Sequence, residues 1–262
     1  MAPKSDPRRR VVLYSGGQTR RNALIHESLL ALALQGHGAG RRRVRMTYVP
    51  FTAEGALPFF RRFERRYRPF GGTHFRCVPA DLPELARPGA ARRRAAETLL
   101  ESDIVYLAGG NTFHFLLHLQ RSGLLAVVQR FAERGGVVAG MSAGAHLCTP
   151  DIRLAGHPPF DRDENEVRLP RHRMGALALV DFEFFPHYRH SPRYRAALAA
   201  WSRRRRGRLY ACRDGSGLVV EDGHVAIHGD VWLFERGRER RVGAWARSPG
   251  RGRPVVAIRR EG

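Results

Sequence analysis

Lysine is nearly absent from this chain: Lys4 is the only one, so the positive charge is carried almost wholly by arginine. Cysteine is also scarce. Cys77, Cys148 and Cys212 are odd in number and far apart, which argues against a disulfide framework and a zinc site and fits a reducing compartment. No apolar run approaches the roughly 20 residues that a membrane helix needs. Residues 1–10 are basic and polar and lack the apolar core of a secretory signal. These absences set the expectation of a soluble cytoplasmic protein with no membrane partner and no metal. Internal repeats, zinc-finger spacings, a basic zipper and low-complexity linkers are missing as well.

What the chain has in excess is positive charge, a formal +22 over 262 residues. Such a balance suits nucleic acid or an acidic substrate. The arginines, however, are scattered through runs such as Arg41–Arg43, Arg92–Arg94 and Arg203–Arg206, with no patch interleaved with aromatics. That spread argues for solvated faces and against nucleic acid as the partner.

Strand-like and helix-like segments alternate. Residues 11–15, 44–50, 75–78 and 103–108 read as strands. Residues 22–34, 59–67, 92–100 and 113–119 read as helices. This rhythm predicts a parallel sheet wrapped by helices. Residues 11–246 are expected to form one domain, after a disordered basic stretch over 1–10. A Pro/Gly/Arg-rich tail follows over 247–262, partly disordered apart from a last strand at 255–258. Residues 209–212, 218–220, 224–228 and 231–234 read as short strands of a small antiparallel extension. The turn Asp214-Gly215-Ser216-Gly217 lies between the first two.

The most informative stretch is residues 135–147. A short β-branched run, Val137-Val138-Ala139, meets Gly140-Met141-Ser142-Ala143-Gly144, the G-x-S-x-G pattern of a nucleophile elbow. Such a turn would lift the Ser142 hydroxyl to the carboxyl end of the sheet and aim the Ala143 N–H at a developing oxyanion. The plainer alternative is a tight turn in which Ser142 only caps a helix. The preceding strand ends in Gly109-Gly110-Asn111-Thr112. There Asn111 and Thr112 suit a helix start, and Gly109 or Gly110 could give a second oxyanion donor. A serine nucleophile needs a base. His187 follows the apolar segment 177–186, read as a strand ending on the same sheet edge as Ser142. His146 lies awkwardly on the elbow helix, and His114 and His118 read as helix-surface residues.

Gly-Gly-Asn-Thr, then Gly-x-Ser-Ala-Gly-Ala, then Pro-His-Tyr resembles the dipeptidase E and cyanophycinase group of serine peptidases, over most of the chain. The resemblance implies a three-layer α/β/α fold similar to class I glutamine amidotransferases. It implies Ser142 as nucleophile, His187 as base, Gly110 and Ala143 as oxyanion donors, and no metal or organic cofactor. It also places an acid between serine and histidine. A gapless alignment meets His157 and Pro158 there, so the candidates are Asp161, Asp163, Glu164 and Glu166, with spacing favouring Asp163 or Glu164. The implied substrate is a small peptide, cleaved by a dipeptidase preferring N-terminal aspartate. Asn111, Thr112, Arg189, Arg193 and Arg195 are the residues expected to line its pocket. The alternatives are a cyanophycinase-like enzyme, another acyl hydrolase or esterase, and a catalytically silent binding protein. A homodimer is left open as the oligomeric state.

Overall fold

The computed structural model describes residues 9–16, 20–35, 43–205 and 207–244. The expectations for most of the basic N-terminus and for the tail at 247–262, its strand at 255–258 included, fall outside them.

The alternation seen in the sequence becomes β1 (Arg10–Tyr14), α1 (Ala23–Gln35), β2 (Val44–Val49), α2 (Ala56–Tyr67), β3 (Gly72–Cys77), α3 (Ala90–Leu100) and β4 (Ile104–Leu107). Then come α4 (Thr112–Ser122), α5 (Leu124–Glu133), β5 (Val137–Met141) and α6 (Ala143–Cys148). The sequence pattern had assigned nothing to α5. The remainder is β6 (Glu183–Phe185), α7 (Pro192–Arg205), β7 (Leu209–Cys212), β8 (Gly217–Glu221), β9 (His224–His228), β10 (Val231–Glu235) and β11 (Arg238–Gly243).

Seven strands form the main sheet in the order β3-β2-β4-β5-β1-β8-β9. The first five run parallel, β8 adds antiparallel to β1, and β9 adds antiparallel to β8. A parallel sheet is stable only with both faces covered, and the strand sequences supply an apolar side chain at nearly every position. Val11, Leu13, Val105, Leu107 and Val138 face a core closed by Leu99 of α3, Phe115 of α4, Val128 of α5 and Leu147 of α6. Their neighbours Val12, Tyr14, Ile104, Tyr106 and Ala139 face the opposite core, closed by Ile25 and Leu29 of α1 and by Phe63 and Tyr67 of α2. The result is the three-layer α/β/α arrangement.

The antiparallel extension is larger than the sequence suggests. Besides β8 and β9, a separate four-stranded sheet forms in the order β11-β10-β7-β6, with α7 packed on it through Tyr194 and Leu198. The segment 177–186 is a strand only at β6, and β6 pairs parallel with β7 in this second sheet, so it is not an edge of the first. The reason is local. The amides of Leu177, Leu179 and Val180 donate to carbonyls of Leu147 and Cys148 at the end of α6, which holds the first half of the segment off any ladder.

Candidate active site

The carboxyl ends of β1, β4 and β5 converge, as ligand-binding crevices of open α/β sheets require. At the end of β5 the chain turns sharply through Ser142, at φ 53° and ψ −111°, and enters α6. Two close backbone approaches make this turn. A Cβ at Gly140 would lie 2.3 Å from the Gly144 carbonyl oxygen, and one at Gly144 would lie 2.2 Å from that of Leu107. The Ser142 amide donates to the Tyr14 carbonyl and the Gly144 amide to that of Ala108, each at 3.0 Å, so β1 and β4 both clamp the elbow. Ser142 makes no side-chain capping bond to α6. Its Oγ lies instead 2.9 Å from His187 Nε2.

His187 follows β6 and Pro186 with φ 56°, a left-handed conformation held from both sides. Its amide donates to Ser15 Oγ at 2.7 Å, and the Ser15 hydroxyl donates to the Cys212 carbonyl at 2.8 Å. Beyond Ser15, Gly16 leaves room for the ring: a Cβ there would sit 2.2 Å from His187 Cε1. The other ring nitrogen, Nδ1, lies 2.7 Å from Asp214 Oδ1. A proton on Nδ1, donated to that carboxylate, leaves Nε2 free to accept from the Ser142 hydroxyl. The hydrogen bond from His187 is the largest influence on Asp214 and holds its carboxyl below the ordinary value, with Ser15 and the more distant Arg189 adding to it.

The acid at His187 therefore comes after it in the chain, whereas the sequence reading sought it before. Asp163, Glu164 and Glu166 lie on a loop fastened to the start of α4. Asp163 accepts from the Thr112 amide at 2.8 Å and from the Thr112 hydroxyl. The Glu164 carbonyl accepts from Asn111 Nδ2 at 2.9 Å, while its carboxylate pairs with Arg162 at 3.1 Å. Glu166 lies 3.4 Å from His114 Nε2. Asp161 accepts from the Tyr194 hydroxyl. Asn111 caps α4 by accepting from the amides of Phe113 and His114, as the sequence led one to expect. Asp214, read as a turn residue, is brought to His187 by the strand pairing, which the sequence pattern does not give. It follows β7, which runs parallel to β6, so the residues after these two strands emerge on the same side.

Two cavities flank the Ser142–His187 contact. One, about 560 Å³, is walled by aromatic side chains of β2, β4 and α2, with Arg62 and Arg66 among its lining. The other, about 110 Å³, is lined by Thr112, His146, His157, Asp161, Arg162 and Asp163. His146 is buried with Nδ1 lacking a hydrogen-bond partner among the described residues, and burial lowers its pKa to about 4. It is thus neutral near pH 7. Arg189 and Arg193 appear in the lining of neither cavity; Arg193 lies 3.6 Å above the Phe160 ring, and Arg195 pairs with Glu239. A further cavity, about 660 Å³, lies between β9 and β11 and touches none of Ser142, His187 or Asp214. Among the described residues no group of three or more His, Cys, Asp or Glu side chains could hold a metal ion, and no helix is long and apolar enough to cross a membrane.

Residues 11–228 match the family model of peptidase family S51. An uncharacterised peptidase of Pasteurella multocida is 31% identical over 118 residues, 45% of this chain and 55% of that protein. One of Listeria monocytogenes is 36% identical over 94 residues, 36% of this chain and 44% of that protein. A peptidase E of Streptomyces coelicolor is 33% identical over 159 residues, 55% of this chain and 61% of that protein. The chain spans about half the length of the curated relatives it matches. The crystal structure of a peptidase from an acI-B1 actinobacterium superposes with a TM-score of 0.62 at 17% identity, covering 94% of this chain and 96% of that one. At that identity the likeness shows the shared fold.

Proposed function

The chain belongs to peptidase family S51, and on that premise we propose that it hydrolyses short peptides as a serine peptidase through Ser142, His187 and Asp214. The observation that carries this reading is the continuous relay of 2.9 Å from Ser142 Oγ to His187 Nε2 and 2.7 Å from Nδ1 to Asp214 Oδ1. His187 accepts the hydroxyl proton as Oγ attacks the scissile carbonyl. Asp214 fixes the ring's tautomer and stabilises the imidazolium that forms. The imidazolium then protonates the leaving amine, and water, activated by the same ring, releases the acyl group from Ser142.

The oxyanion donors of this reading are the N–H groups of Ala143 and Gly110. Ala143 is the first residue of α6, where a helix leaves amides without intrahelical carbonyls. The amides around it, of Ser142, Gly144, Ala145 and His146, already donate to the Tyr14, Ala108 and Ser142 carbonyls. Gly110 sits at φ 140°, a conformation open to glycine, and a Cβ there would lie 2.3 Å from the Phe51 ring. Preorganised donors of this kind contribute roughly 10²–10³-fold each.

The test is release of leucine from Asp-Leu, Glu-Leu, Ala-Leu and Leu-Leu by the purified protein and by Ser142→Ala. The expected result is hydrolysis of at least one member, reduced by at least about 10⁴-fold in the variant, with an unchanged melting temperature. Preference for Asp-Leu within the panel would extend the reading to N-terminal aspartate. Undiminished turnover in Ser142→Ala would refute it, and a folded but inert native protein would favour the silent binding protein.

A further inference from the structure

The two cavities beside Ser142 differ in size and in charge, and the difference assigns a direction to the substrate. The larger is walled by Tyr48, Phe51, Phe63 and Tyr106 and carries Arg62 and Arg66, one helical turn apart on α2. Arg66 is half-buried and forms no ion pair among the described residues. Arg62 lies 5.3 Å from the Phe59 ring centroid and likewise has no carboxylate partner there. Elsewhere the arginines close to the fold's carboxylates are paired: Arg45 with Asp103, Arg153 and Arg205 with Asp151, Arg241 with Asp230. Glu54, exposed, is the one acid in the lining and leaves the cavity a net positive charge. Arg62 is exposed and Arg66 half-buried, so water solvates both in part, and a carboxylate arriving beside the apolar walls would give Arg66 the counter-charge it lacks among the described residues. Phe59, 57% exposed on the same helix, leaves apolar surface uncovered at that cavity.

The smaller cavity has the opposite character. Its lining holds the carboxylates of Asp161 and Asp163 against the single guanidinium of Arg162. At about 110 Å³ it has room for a small group only.

We propose that the larger cavity receives the C-terminal residue of a short peptide, its apolar side chain on the aromatic wall and its free α-carboxylate on Arg62 and Arg66. The amino end then lies toward Asp163 in the smaller cavity. This deepens the peptidase reading and rests on it. A guanidinium suits a carboxylate because its planar fork donates two parallel N–H bonds. The geometry selects an apolar last residue, a free C-terminus and a short N-terminal residue.

The first arm of the test is binding, which needs no turnover. 3-Phenylpropanoate, an aromatic ring with a bare carboxylate, is titrated into native protein, Ser142→Ala and Arg66→Gln, beside its neutral amide, 3-phenylpropanamide. The acid is expected to bind native protein and Ser142→Ala alike, and the amide at least about tenfold more weakly, the equivalent of one charge-assisted hydrogen bond. Arg66→Gln should lose that advantage for the acid while binding the amide as native protein does, a difference that a misfolded variant would not give. Arg66→Lys should recover part of it. Equal binding of acid and amide, equal loss of both in Arg66→Gln, or no binding of the acid overturns the proposal.

The second arm compares Asp-Phe and Ala-Phe with their C-terminal amides. The free acids are expected to be cleaved with at least about tenfold higher kcat/KM, and indifference to amidation overturns the proposal. Faster cleavage of Ala-Glu-amide than of Ala-Phe would move the carboxylate from the chain end to a side chain and also overturn it. Hydrolysis that survives Ser142→Ala, with the binding differences intact, would instead fault the peptidase reading.

Discussion

Asp214 shows how much one side chain's position decides. Its carboxylate is half-exposed, yet the His187 ring holds it below the ordinary pKa. A depressed carboxyl gives its interaction fully above the unfolded value and loses it as pH falls through the folded one. The His187–Asp214 pairing therefore persists through neutral pH and is lost only in acid. Asp214→Asn is expected to lower kcat by roughly 10³–10⁴-fold, because an amide no longer selects the productive tautomer. Asp163→Asn, which keeps an acceptor for Thr112, should change kcat by less than about tenfold; kcat for both on one dipeptide decides between them. The contact of Ser142 with His187 was legible in the sequence because each sits in a local pattern of strand, turn and small or apolar neighbours. Asp214 was not, since Asp-Gly-Ser-Gly is also an ordinary turn sequence. Its place beside His187 depends on where the turn lands against the end of β1, 199 residues away through Ser15.

Among elements, the elbow is the tightest. Gly144 is held so close to β4 that any side chain meets the Leu107 carbonyl at 2.2 Å. Backbone cannot yield as a flexible side chain does, so Gly144→Ala is expected to destabilise by about 1–3 kcal/mol or more, read as a lowered urea midpoint. Activity should fall further than stability, because the shift moves Ser142 itself. The parallel core strands were readable from their β-branched runs. The placement of β6 was not, because periodicity identifies a strand without saying which sheet receives it. The same limit explains the segment before β6, whose apolar sequence suits a strand but whose amides are captured by the end of α6.

Over the whole molecule, buried neutral histidines set the response to acid. Burial lowers His26 to about 3, beside the Tyr14 hydroxyl at 3.1 Å, and His146 to about 4. Both bind protons more readily in the unfolded chain, whose histidines titrate near 6.5. Stability should therefore decline as pH falls below about 6.5 and level off once it passes their folded values, a loss on the order of a few kcal/mol. Urea midpoints between pH 7 and 4 test this, and His26→Gln should flatten the decline. The formal charge of +22 acts in the same direction, since protonated histidines join an already positive surface.

The relay from Ser142 to Asp214 joins two sheets. The serine stands on the seven-stranded sheet, the histidine follows a strand of the four-stranded one, and the acid lies on the turn between β7 and β8, which passes from one to the other. In the order of synthesis Ser142 emerges first, His187 45 residues later and Asp214 27 residues after that. A nascent chain that stops before residue 214 cannot form this relay, however well its first five strands have paired. The relay thus waits on the turn between β7 and β8, long after the strand that carries Ser142 has been made.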